Sequence, residues 1–204
     1  MALADNALTT LATVKTELGI TVTTFDTVLE RIINTVSEQI ENYTKRKFKQ
    51  QEHTEKYTGT NTLKLLLNQY PVSEVDEVIY KEESYTDYEI DYTSGILVSE
   101  RIWEQTGISK GLSTRTAYPK ADIEVTYTAG YILPKDATEE SPRTLPYDLE
   151  DACIEAVTAN YLSRGQDKSI VSERLMSASY TYDRATGMPV SVIKKLAPYR
   201  KIRA

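Results

Sequence analysis

The 204-residue chain has one cysteine, one histidine, one tryptophan and two phenylalanines. A single cysteine excludes an internal disulfide framework and suits a reducing compartment. A single histidine, His53, removes most of the acid–base chemistry that operates near neutral pH. No uninterrupted run of large aliphatic residues exceeds three, as at Leu65–Leu67, so no segment has the length of a transmembrane helix. The opening MALADNALTT has neither a basic region nor an apolar stretch of signal-peptide length. The expectation is a soluble product of the cytoplasm with no membrane partner. Positive charge is also in deficit. A formal net charge of −6 and a pI near 5.0 argue against wrapping nucleic acid as the main task.

What is present is a globular composition, 40% apolar and 26% charged, at a length that fits one domain with extensions. Tyrosine occurs 15 times. Its flat ring and polar tip suit surfaces that are wet in a monomer and covered in an assembly, and also half-buried strand positions. The last fifteen residues hold Lys194, Lys195, Arg200, Lys201 and Arg203 with no acid, which leaves −11 for the rest of the chain. Val192, Ile193, Leu196, Tyr199 and Ile202 make this basic segment sticky as well as charged. Pro189 and Pro198 enclose only eight residues, too few for a stable isolated helix, so the segment is expected to be a mobile arm that orders on a partner.

Periodicity divides the rest. Leu8, Leu11, Val14 and Leu18 predict a short helix from about Thr10 to Leu18, stopped by Gly19. Phe25, Val28, Leu29, Ile32, Ile33, Val36, Ile40 and Tyr43 trace one helical stripe, with Thr23 and Asp26 as a capping pair. Lys45, Arg46 and Lys47 follow its last turn, where cations suit the helix dipole. The middle turns to period two. Strands are expected at Glu52–Thr58, around Leu63, Leu65 and Leu67, and from Val72 to Tyr80. Tyr88–Tyr92 and Ile96–Val98 read as a hairpin across Thr93-Ser-Gly95, and Ile123–Tyr127 as a half-exposed strand. The segment 134–146 is a loop. Pro146 opens a second strong helix with Asp148, Glu150 and Asp151 in its first turn and Gly165 as its stop. A short strand follows at 175–182.

The predicted class is α+β: a small α-helical bundle on two long helices, a β-rich insertion between them, and an extended C-terminal arm. The expected domain is 1–188, with a helical core at 8–48 and 146–165 and a β-rich region at 51–131. Residues 189–204 form the docking arm.

No catalytic constellation emerges. Gly107-Ile-Ser109-Lys-Gly111 has the spacing of a hydrolase nucleophile elbow, but lacks a flanking strand and helix, and His53 lies upstream of it. Asp87, Glu89 and Asp91 share a strand face that a divalent cation could occupy, without the glycine and bidentate glutamate of a calcium loop, and read better as a solvated face. Cys153 sits among small apolar residues and reads as a packed core thiol. No P-loop, dinucleotide fingerprint or Cys/His metal spacing occurs. No catalytic residue, metal or cofactor is assigned.

The order of short segments resembles the head–tail connector (adaptor, head completion) family of tailed bacteriophages. The resemblance rests on Leu8-Thr-Thr-Leu-Ala-Thr-Val-Lys15, Leu18-Gly-Ile20 and the helix end Ile40-Glu-Asn-Tyr43-Thr-Lys-Arg46-Lys-Phe48. It continues through Tyr57-Thr-Gly59, Tyr70-Pro-Val72, Gly95-Ile-Leu97, Val125-Thr-Tyr-Thr-Ala-Gly130-Tyr131 and Leu145-Pro-Tyr-Asp-Leu149. Ser172-Glu-Arg, Ser179-Tyr-Thr-Tyr182 and Leu196 with Tyr199-Arg200 complete it. The resemblance implies a structural virion protein of the neck, assembled in the host cytoplasm as a dodecameric ring beneath the portal protein. The arm, from Val192, Ile193, Lys194, Lys195 and Leu196 to Tyr199, Arg200, Lys201 and Arg203, would dock on the portal. A downstream neck or tail-completion protein would bind the other side, and genomic DNA would pass through an acidic channel without sequence-specific binding. Tyr80, Tyr85, Tyr88 and Tyr92, with the charged helix faces, are expected at the subunit interface. Two alternatives stay open: a neck or tail-completion subunit one layer further down, and a small DNA-binding regulator that uses the basic arm, with Tyr199 stacking on a base.

Overall fold

In the computed structural model the first helix, α1 (Leu11–Leu18), starts where the Thr10 hydroxyl accepts the Thr13 amide and ends at Gly19, whose φ of 65° is the left-handed turn a stop requires. The structure describes residues 2–105, 120–164, 172–175, 178–183 and 186–201. Helix α2 (Asp26–Thr44) buries Leu29, Ile32, Ile33, Val36 and Ile40, most of the stripe read from its period. Each such side chain contributes roughly 1.5–3 kcal/mol on burial. The expected Thr23–Asp26 capping pair does not form. The Asp26 amide is taken by the Thr23 carbonyl instead, and the Asp26 carboxylate accepts Lys15 Nζ at 2.6 Å. At the other end Lys45 adopts φ 59° and turns the chain back, while Arg46 is buried rather than solvated and its guanidinium lies over Phe48.

The chain divides into two compact units, Met1–Lys49 with Tyr131–Arg203, and Gln50–Gly130. The second is built from antiparallel strands. β1 (Gln51–Tyr57), β3 (Val72–Tyr80), the two-residue β4 (Glu83–Ser84) and β7 (Ile123–Ala129) form a sheet in the order β1-β7-β3-β4. β2 (Lys64–Leu66), β5 (Tyr88–Asp91) and β6 (Ile96–Ser99) form another in the order β2-β6-β5. The β5–β6 hairpin stands where Thr93-Ser-Gly95 predicts it, with Gly95 at φ 66°. The core of this second unit is Leu65, Leu67, Val72, Val78, Leu97, Trp103, Ile123, Val125, Tyr127 and Ala129. Beside it Glu55 collects the Tyr127 hydroxyl at 2.7 Å, the Tyr57 hydroxyl, and Asn68 Nδ2 at 3.0 Å. The two phenols in turn accept the amides of Asn68 and Gln69, which pins that loop.

In the first unit α3 (Tyr147–Leu162) follows Pro146 and packs its buried Leu149, Ala152, Cys153, Ala156 and Val157 toward the core that α2 also supplies. The loop before it is tied down by Arg143, which pairs with the buried Glu150 and bonds the Leu145 carbonyl at 2.9 Å. The strand expected at 175–182 corresponds to β9 (Ala178–Thr181), which pairs in a hairpin with β8 (Ser172–Leu175). α4 (Val190–Leu196) and a single 3-10 turn (Ala197–Tyr199) complete the unit. Among the described residues no helix is long and apolar enough to cross a membrane.

The expected extended arm is a correction. Val192 and Leu196 are fully buried in the core of the first unit, with Met188 beside them. The reason is a partner within the chain: three acids on one face of α3 meet α4 in antiparallel order. Tyr199 donates to Asp148 at 2.6 Å, Lys195 pairs with Asp151 and with Glu155, and Ser191 donates to Glu155.

These contacts carry a pH dependence. Burial first, and the neighbouring carboxylate next, raise the phenols of Tyr57 and Tyr199 above the ordinary tyrosine value; burial does the same for Tyr127. A phenol whose value is raised in the folded state contributes stability that is complete below the unfolded value of about 10 and is lost as pH climbs above it. Urea-unfolding midpoints should therefore hold steady up to about pH 10 and fall beyond it. Y57F with Y127F should make the fall shallower, and an unchanged alkaline slope would contradict the assignment.

Candidate interaction surfaces

The residues expected to do chemistry are placed as follows. Cys153 is fully buried on α3, 3.9 Å from the Ser37 hydroxyl, and burial pushes its thiol up to about 12. His53 leans on the Tyr127 ring, and burial lowers its pKa below the ordinary histidine value. Asp87, Glu89 and Asp91 are exposed, and Asp91 is occupied by the amides of Thr93 and Ser94 in the β5–β6 turn. Among the described residues no three of His, Cys, Asp and Glu gather as a metal site would need. The Gly107–Gly111 elbow, with Ser109, lies outside the described residues, as do Gly165, Ile202 and Arg203.

The four tyrosines expected at a subunit interface are unequal. Tyr80 and Tyr85 pack edge-on against Trp103 with ring centroids 5.4 and 5.3 Å away, and Tyr88 stacks on Tyr85. All three are half-buried by this cluster; only Tyr92, 52% exposed, presents most of its ring. The tyrosine count reflects an aromatic nest around a buried tryptophan as much as an outer surface.

The C-terminal residues separate in the same way. Val192, Leu196 and Lys195 are committed to their own unit, Ile193 and Tyr199 are half-buried, and Lys194 and Arg200 face outward. The Lys201 amide donates to the Thr44 carbonyl at 2.8 Å, Arg46 Nη1 donates to the Tyr199 carbonyl at 3.4 Å, and the Arg200 guanidinium lies 5.1 Å over the Tyr43 ring. Lys45, Arg200 and Lys201, more than 150 positions apart in sequence, thus meet at the end of α2. None of the three has an ion partner among the described residues.

Charge is segregated along the chain as well. Residues 50–130 hold 14 acidic against 7 basic side chains, and the other residues 16 against 17. Register concentrates part of this on one face of the β1-β7-β3 sheet, where Glu52 and Glu74 flank Thr128, and Thr54 and Glu77 flank Thr126. Glu52, Glu74 and Glu77 are exposed and unpaired among the described residues. Sequence reading missed this face because the bulges between Val72/Glu74 and Val75/Glu77 break the alternation of β3.

A family model described as Head completion protein (HCP) matches residues 7–202. No curated protein matches the chain. Among solved structures, a chain in the neck of a native GTA particle, computed with C12 symmetry, is similar at a TM-score of 0.55 and 17% identity, covering 100% of this chain and 94% of its own. A chain in the neck of an empty GTA particle, computed with C6 symmetry, gives 0.52 and 13%, covering 100% and 95%. A third, in the virion of a native gene transfer agent (GTA) particle, gives 0.53 and 15%, covering 100% and 94%. At these identities the likeness is one of fold.

Proposed function

The chain belongs to the head completion protein family, and from that premise we propose that it is a structural, non-enzymatic subunit of a virion neck. In this reading twelve copies close a ring beneath the portal protein, join head to tail, and continue the DNA channel without reading sequence. A small helical bundle built on α2 and α3 and the β-rich unit both belong to each subunit of the ring. The observation that carries the reading is the end-to-end agreement in fold with a chain from a particle neck of C12 symmetry.

The portal contact is narrower than a free arm would give. With Val192 and Leu196 turned inward, the half-buried Ile193 and the exposed Lys194 are what remains for the portal of the α4 residues expected to dock and not already paired. Of the four tyrosines expected there, Tyr92 is the one that presents most of its ring for a subunit contact. Particles assembled without this chain test the proposal. They are expected to fill their heads, then lose DNA and carry no tail. Tailed, DNA-filled particles at normal yield would overturn it.

A further inference from the structure

We infer that the cationic corner of one subunit, Lys45, Arg200 and Lys201, seats on the acidic sheet face of the next copy, Glu52, Glu74 and Glu77, and so forms the repeated contact of the ring. The inference rests on the ring reading above.

Each surface is built rather than incidental. The corner is fixed in place: Lys201 is held by its backbone to Thr44, Arg200 lies over Tyr43, and Lys45 caps α2. Most other cations among the described residues of that unit are spent internally, as Lys15 is on Asp26, Lys47 on Glu41, Lys49 and Lys135 on Asp5, Arg143 on Glu150, and Lys195 on Asp151 and Glu155. The acidic face is fixed by strand register. Its threonines lie between the carboxylates, with the Thr54 and Thr126 hydroxyls 3.1 Å apart, and the Lys56–Glu124 pair closes one end of the face.

Unpaired charges of one sign repel each other at close range, so each surface is costly to keep bare and gains from a partner of opposite sign. A closed ring requires such a pair of different, mutually matching surfaces on every subunit. Three cations and three carboxylates on one chain satisfy that requirement with a second copy. A DNA backbone would match the corner and leave the acidic face unexplained.

The test is a charge exchange in cells that package particles and lack the natural chain. K45E/R200E/K201E leaves both surfaces negative, and E52K/E74K/E77K leaves both positive. Each alone is expected to lower the yield of tailed particles by roughly 100-fold or more, because like charges set against one another across an interface are strongly penalised. Made together, the two variants match at every contact if they alternate, and a ring of even number closes. Co-expression is therefore expected to restore the yield to within several-fold of the natural chain.

Normal yield from either variant alone overturns the inference, and so does failure of co-expression when both variants keep the natural unfolding midpoint. If only the corner variant fails and its partner does not rescue it, the corner serves DNA or another protein, and the inference is again overturned. Should a triple variant melt early, the single reversals K45E and E74K run the same exchange. Failure of the natural chain itself to restore tailed particles would count against the neck reading and not against this contact alone.

Discussion

Removing residues 189–204 is expected to unfold the helical unit, not to free a body from its tail. Val192 and Leu196 are fully buried there. At roughly 1.5–3 kcal/mol each, their loss takes a large part of the 5–15 kcal/mol that typically stabilises a domain. The truncation also strips Lys195 from Asp151 and Glu155, and Tyr199 from its edge-on contact with Phe48. The single substitution Leu196→Ala isolates the packing term and should cost about 2–5 kcal/mol. Urea unfolding of the full chain, followed by helical circular dichroism, measures it. A truncated chain with the natural midpoint would show that α4 is a removable arm after all.

The second large effect is expected at Trp103. It is 1% exposed, boxed by Tyr80 and Tyr85, and the largest fully buried side chain described. Trp103→Ala should cost about 3–5 kcal/mol, enough to leave the β unit marginal. Trp103→Phe should cost clearly less. The indole N–H has no hydrogen-bond partner among the described residues, so phenylalanine loses volume but also removes a buried, unsatisfied donor. Equal losses for the two variants would contradict that accounting. Because Trp103 is the only tryptophan, its fluorescence in the natural chain reports directly on this unit.

Regular elements with a strong period were legible in the sequence. The stripe from Phe25 to Tyr43 located α2, Pro146 located the start of α3, and Thr93-Ser-Gly95 located the β5–β6 hairpin, because in each case one local rule dominates. What the sequence hid was which surface covers an apolar face. Val192 and Leu196 signal a face that must be buried, but nothing local says whether a partner or the chain's own α3 buries it. A signal did exist at longer range. Asp148, Asp151 and Glu155 on α3 run opposite to Tyr199, Lys195 and Ser191, so two complementary ladders lie in antiparallel order. Trp103 was hidden for a different reason: it precedes no periodic segment, and its neighbours Tyr80 and Tyr85 come from separate segments. The cationic corner and the acidic face were invisible because each exists only once distant segments are in register.

The ring is the claim on which the functional account stands, and a reconstruction of the virion neck at side-chain resolution tests it most directly. The account predicts one closed layer of copies of this chain between portal and tail, with α4 still packed on α3 and Lys45, Arg200 and Lys201 of each copy facing Glu52, Glu74 and Glu77 of the next. A neck that lacks this chain, or holds it outside a closed ring, would contradict the account.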